Sequence, residues 1–176
     1  MSFEIYQQLK GAIPDAIFVQ VGDGVILSGV FEDLYLRKCI DKIPHIYAVQ
    51  SDKSSNIIDN LKLKIPEFRP SHSLADSINV DVPRNFYMAS YYLKKYNGSG
   101  VLVSDSDIMD ACYKLSSSFG LFAEPASAAA FAGFLKVYVT RLIALAKKVL
   151  VLHTGSGLKD ILSAANYLNE IKKEEK

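Results

Sequence analysis

Ile17-Phe18-Val19-Gln20-Val21 runs straight into Gly22-Asp23-Gly24-Val25-Ile26-Leu27-Ser28-Gly29: an apolar strand, a glycine-bracketed turn and the opening of a helix. The same order recurs where Val149-Leu150-Val151-Leu152-His153 meets Thr154-Gly155-Ser156-Gly157-Leu158-Lys159-Asp160. In an open α/β sheet, ligands sit at the carboxyl ends of strands. Glycine there lets the backbone come close, and the free N–H groups of a starting helix favour an anion. The two turns together predict one small anionic ligand gripped from two sides.

Outward from these turns, strand and helix alternate. Phe3, Tyr6 and Leu9 mark a short opening helix, stopped near Gly11 and Pro14. A strand over 16–21 precedes a helix over 25–40, and Pro44 introduces a second strand over 45–50. Residues 51–70 read as polar and irregular, with Pro66 and Pro70 breaking any long helix. One or two helical turns follow over 73–78, then a Tyr-rich helix over 85–96 that Gly98 and Gly100 end, then a third strand over 101–103. Ser104 with Asp107 makes a capping box for a helix whose Ile108, Ala111, Cys112, Leu115 and Phe119 share a face. Glu124-Pro125 opens the next helix, with Pro at its first position and alanines over 126–130 giving a narrow, tightly packing face. The basic stretch 141–148 leads to a fourth strand, and a last helix spans 157–172, its lysine-rich end suiting the negative pole of the dipole. This predicts an α/β fold: three layers, a mostly parallel open sheet, helices on both faces.

Composition narrows the function. A chain of 176 residues, 49% hydrophobic with net charge +1, is one domain or a large piece of a bigger one. It is neither a disordered tail nor a polybasic nucleic-acid binder. Cys39 and Cys112 lie far apart within apolar helical patterns; a disulfide is open, and reduced core thiols of a cytoplasmic protein are the preferred reading. His45, His72 and His153 are scattered without companions, so no metal site is expected. With no basic leader before an apolar core over 1–10, no export signal is expected, and no apolar run approaches a membrane span.

Each motif has a plain structural alternative. The Gly22 loop suits a phosphate, yet it could be a tight connection with no ligand. A dinucleotide fingerprint does not fit, because the pattern is Gly-x-Gly followed by Gly29 and the second strand ends in Gln50 instead of an acid. A nucleotide P-loop lacks its Gly-Lys-Ser/Thr. Thr154 could satisfy one ligand heteroatom or serve as a turn or cap residue. His153 reads as a partly buried structural histidine. Glu124 is a helix cap or an active-site carboxylate, and Asp76 and Asp81, in a polar segment, are given no chemistry.

Taken together the segments resemble threonine synthase, a pyridoxal-phosphate enzyme of the tryptophan-synthase β-like fold. The resemblance runs through Pro14-Asp15, Val21-Gly22-Asp23-Gly24, Ser28-Gly29, Pro44, Ala48-Val49-Gln50, Leu74-Ala75-Asp76-Ser77-Ile78, Val82-Pro83-Arg84-Asn85 and Val103-Ser104-Asp105. It is strongest over Gly120–Ala129 and Thr154–Asp160. The resemblance implies that the backbone of Gly22, Asp23, Gly24, Val25 and Ile26 cradles the phosphate of pyridoxal 5'-phosphate, that Thr154 faces its pyridine nitrogen, and that Glu124 lies near the pocket. The implied reaction turns O-phosphohomoserine, a phosphorylated amino-acid substrate, and water into threonine and phosphate; the alternatives are a serine/threonine dehydratase, a sulfur-amino-acid synthase, or a non-catalytic binding module that keeps the phosphate pocket.

One departure matters. Nothing upstream of Gly22 resembles the surroundings of the family's Schiff-base lysine, and Phe3–Leu9 matches a helix from the middle of a full-length synthase. Lys159 stands near Thr154, but the matching family lysine is not the Schiff-base residue. The whole of 1–176 is therefore expected to be the carboxyl-terminal part of the large cofactor-binding domain, with no catalytic residue of its own. Alone it should be inactive, and it should associate as a homo-oligomer or with a separately encoded amino-terminal part.

Overall fold

The computed structural model describes residues 2–10, 12–36, 44–140, 146 and 148–174. Its centre is a four-stranded sheet of β1 (Ala16–Gln20), β2 (His45–Ser51), β3 (Ser99–Val103) and β4 (Val149–Val151), in the order β3-β2-β1-β4 and parallel throughout. Ile17 lies beside Ile46 on one side and Leu150 on the other. Both central strands are covered on both faces, which is why they read as continuous apolar runs.

Alternate strand residues feed separate cores. Ile17, Val19, Ile46 and Ala48 pack with Leu27, Val30 and Phe31 of α2 (Val25–Leu36) and Ala89, Tyr92 and Leu93 of α4 (Phe86–Lys95). Phe18, Tyr47 and Val49 face α6 (Pro125–Val139) and, beyond it, α5 (Asp105–Phe119). The expected three layers follow from this alternation of period two. The alanine face of α6 packs on the sheet so closely that a Cβ on Gly133 would lie 2.5 Å from a Val49 methyl. The α1 helix (Ser2–Gln8) leans on α2, and α7 (Ile161–Glu174) lies along α5.

The expected cap of α5 is present: Ser104 accepts from the Asp107 N–H while the Asp107 carboxylate accepts from the Ser104 N–H, which holds that carboxyl below its usual range. Other expectations need correction. Residues 51–70 contain a short helix, α3 (Asn56–Asn60), and are ordered by buried amides. Asn56 bonds the backbone of Arg69, Val80 and Asp81, and Asn60 bonds Glu67 twice. The last helix is broken into a 3₁₀ turn (Gly157–Lys159) and α7. The end of the second helix at 37–40, with Cys39, and most of the basic stretch 141–148 lie outside the described residues. Cys112 is buried beneath α7, where burial pushes its thiol up to about 12. Among the described residues no helix is long and apolar enough to cross a membrane.

Candidate functional site

The carboxyl ends of β1 and β4 open into one cleft of about 440 Å³. It is lined by Gln20, the run Val21–Leu27, Ser77, Ile78, Glu124, Ala126, Thr154 and Lys159. Every residue singled out from sequence as a ligand contact is therefore on one concave surface.

The first wall is the Gly22 loop. Gly24 has φ +89°, a conformation that favours glycine, and a Cβ there would stand 2.9 Å from that of Ala89. Gly22 is pressed against the Ile78 backbone, at 3.0 Å from where its Cβ would be. Among the described residues, the N–H groups of Gly22, Asp23, Gly24, Val25 and Ile26 donate to no protein atom; the first intrahelical bond runs from the Ser28 N–H to the Gly24 carbonyl. These five residues line the cleft at the positive end of α2.

The Val82–Asn85 stretch, which sequence reading could quote but not explain, holds this loop in place. The Asp23 carboxylate accepts from the Arg84 N–H at 2.8 Å, and the Asn85 amide donates to the Gly24 carbonyl and the Ser28 hydroxyl. Asp23 is spent on the loop's own geometry, leaving its backbone for a ligand. Behind the loop, buried Gln50 donates to the Val21 carbonyl and accepts from the Ile57 and Ile58 N–H groups. The residue that argued against a dinucleotide fold is a clamp between β1 and α3.

The opposite wall is built differently. Thr154 is open to solvent and its hydroxyl accepts from the Gln20 side-chain amide. Its N–H donates to buried Ser127, whose hydroxyl also meets His153 Nδ1 at 2.6 Å. His153 is exposed, not partly buried, because β4 is an outer strand and Leu152, still packed in the core and bonded to the Phe18 carbonyl, is the last of its residues held there. Thr154 is no cap; Ser156 caps the 3₁₀ turn. The Gly155 segment pairs with the start of α6, through an Ala123–Ser156 bridge and bonds from the Glu124 N–H to the Gly155 carbonyl and the Gly157 N–H to the Phe122 carbonyl. A Cβ on Gly155 would lie 1.8 Å from Glu124 Oε1, and one on Gly157 would strike the Phe122 ring. Among the described residues the amides further along this second turn are taken up by the protein itself: the Gly157, Leu158, Lys159 and Asp160 N–H groups are all engaged by protein oxygens.

Glu124 is at the N-cap position of α6, but its carboxylate makes no cap. It is buried at the floor of the cleft, 3.1 Å from Lys159 Nζ and 3.4 Å from the Ser77 hydroxyl. Lys159 is itself largely exposed and reaches Ser77 as well. The lip that carries Ser77 is anchored by Asp105, which accepts from the Ser73 hydroxyl and the Leu74 N–H and pairs with Lys53 at 2.8 Å. Burial alone would raise the Asp105 carboxyl, but hydrogen bonds from Lys53 and Ser73 together with the Lys53 charge hold it below its usual range. Asp76 and Asp81 are exposed; Asp81 accepts from the Ser71 N–H.

Sequence reading missed Gln20. It is 3% exposed, and its Oε1 has no partner among the described residues. The available signal was a lone polar residue closing an otherwise apolar central strand.

Comparison with known proteins bears on the family and the fold. The chain is 33% identical over 162 residues to a threonine synthase of Synechocystis, spanning 90% of this chain and 40% of that one. It is 28% identical over 166 residues to a threonine synthase of Methanocaldococcus jannaschii, spanning 91% and 41%. The chain thus covers less than half the length of either relative. Maize serine racemase superposes over 96% of this chain and 50% of its own with a TM-score of 0.74 at 18% identity, a likeness of fold. The family model for pyridoxal-phosphate dependent enzymes matches residues 1–155, and the chain belongs to that family.

Proposed function

We propose that this chain is the cofactor-holding, carboxyl-terminal part of a threonine synthase. The observation that carries the reading is the meeting, in one cleft, of five unpaired amides from the Gly22 loop and the Thr154 hydroxyl. That donor set fits pyridoxal phosphate: amides at a helix start suit the phosphate, and a neutral hydroxyl suits the ring nitrogen. Gly22–Ile26 would hold the phosphate and Thr154 would orient the ring. The bound cofactor supplies stabilisation of a carbanion on the amino-acid substrate. Glu124, already paired with Lys159, would close the floor of the cleft as a positioning group.

Sequence relatedness to threonine synthases supports O-phosphohomoserine as the substrate. The covalent lysine and most substrate contacts would come from a further segment or chain, because Lys159 is committed to Glu124 and Ser77. The test is a titration of the purified chain with pyridoxal phosphate, followed by absorption before and after borohydride reduction. Saturable binding with the spectrum of a free aldehyde, and no labelled lysine, is the expected result. Absence of saturable binding overturns the cofactor assignment. Trapping on Lys159, or phosphate release from O-phosphohomoserine by the chain alone, overturns the assignment of the lysine to a further segment.

A further inference from the structure

We propose that Gln20 fixes the direction of the Thr154 hydroxyl, so that Thr154 donates a hydrogen bond into the cleft and selects an unprotonated ring nitrogen in the ligand it faces. This rests on the reading above that the ring of pyridoxal phosphate lies against Thr154.

Gln20 is 3% exposed at the last position of β1, its amide Nε2 donates to Thr154 Oγ1, and its Oε1 is buried without a partner among the described residues. The reverse arrangement, with Thr154 donating to Gln20, would bury an unpaired amide N–H in place of an unpaired carbonyl. Orphaned buried donors are the rarer and costlier case. A hydroxyl has one hydrogen. Its oxygen accepts from Gln20 and, among the described residues, no protein acceptor takes its hydrogen, so that hydrogen is left for the cleft. A protonated ring nitrogen could use the second lone pair only by leaving that hydrogen unmatched, and a nitrogen that accepts is the better partner. The Thr154 backbone cannot swing away to change this, because its N–H is held by Ser127 at 2.9 Å. Gln20 thus acts through Thr154 as a positioning residue and weakens the ring as an electron sink by keeping it neutral.

The experiment is 15N NMR of ring-labelled pyridoxal phosphate bound to the wild-type chain, to Gln20→Glu and to Thr154→Val. In the wild type the ring nitrogen is expected at the unprotonated position at neutral pH and below. A carboxylate at position 20 can only accept, so Gln20→Glu takes the hydroxyl hydrogen, turns the oxygen lone pair toward the ring, and moves the resonance toward the protonated position. Thr154→Val releases the nitrogen to titrate as it does in solution. Gln20→Met, which removes the amide without burying a charge, keeps the test of Gln20 open if the carboxylate of the first variant prevents folding. With the hydroxyl no longer directed, the nitrogen should shift part of the way toward the Thr154→Val behaviour, and an unshifted nitrogen overturns the inference. A protonated nitrogen in the wild type overturns the inference. An unmoved nitrogen in Gln20→Glu that still binds saturably overturns the role of Gln20, and an unmoved nitrogen in Thr154→Val that still binds saturably overturns the placing of the ring against Thr154. Failure of the wild type to bind pyridoxal phosphate overturns the cofactor reading itself, and is seen in the titration before any nitrogen is observed.

Discussion

The two glycine turns look alike in sequence and are used in opposite ways. After β1, the glycines let the backbone bend so that five N–H groups find no protein acceptor among the described residues, and the residues that carry them line the cleft. After β4, the glycines are consumed by packing: Gly155 makes room for the Glu124 carboxylate and Gly157 for the Phe122 ring. Only α2 is a true helix start, since the second turn continues as three residues of 3₁₀. A glycine pattern at a strand end therefore says that space is short, and the neighbours decide whether a ligand or a side chain fills it.

The largest effect that would break this contrast is at Gly155. Gly155→Ala should cost about 3 kcal/mol, because the added methyl would displace the buried Glu124 carboxylate from its seat beside Lys159, read as a fall in thermal midpoint. In a Glu124→Ala background the same change should cost under about 1 kcal/mol, because the clash is with the carboxylate arm. Equal costs in both backgrounds would show that the turn demands glycine for its own sake. Gly24→Ala comes next. Forcing an L-residue to φ +89° should cost about 1–2 kcal/mol, and protection by inorganic phosphate or pyridoxal phosphate in the same melts should disappear. Undiminished protection would remove the Gly22 loop from the ligand site.

Asp105→Asn should cost about 1–2 kcal/mol by weakening the bonds to Ser73 and Lys53, and hydrogen exchange should rise at the 73–78 lip but not at 154–157. The pH dependence has a definite sign. A carboxyl held low when folded stabilises above its ordinary value of 3.8, and that contribution is lost as pH falls through the lower folded value. The acid limb of the wild-type stability curve should be shallower in the variant. The smallest effect runs the other way. Gly29 is an exposed position of α2 where an added Cβ would meet nothing within 4 Å, so Gly29→Ala should stabilise by about 0.5–1 kcal/mol without touching phosphate protection.

What was legible in the sequence follows the range of the forces involved. Ser104 and Asp107 are three apart and satisfy each other, so the cap could be read directly. The strands showed themselves because burial on both faces leaves no polar alternation to confuse. Asn56 and Asn60 could not be read, since their partners lie up to 25 residues away and the segment they organise has no period. Gln20 meets Thr154 across 134 residues, and Glu124 meets Lys159 only because the Gly155 turn folds back on the start of α6. The cleft's parts were visible in the sequence; the pairings that aim them were not.

The close seat of α6 on the sheet has a consequence for how this cleft can vary. The same helix carries Glu124 at its start and, one turn on, Ser127, which grips the Thr154 N–H; at Gly133 its backbone rests on Val49. Helix and sheet form a caliper whose jaws are Thr154 and the Gly22 loop, and Gly133 is its stop. A larger residue at 133 would lift the helix and open the jaws by the thickness of a methyl group. Variants that accept a bulkier ring or side chain should therefore be sought far from the cleft, along the underside of α6, where no ligand ever reaches.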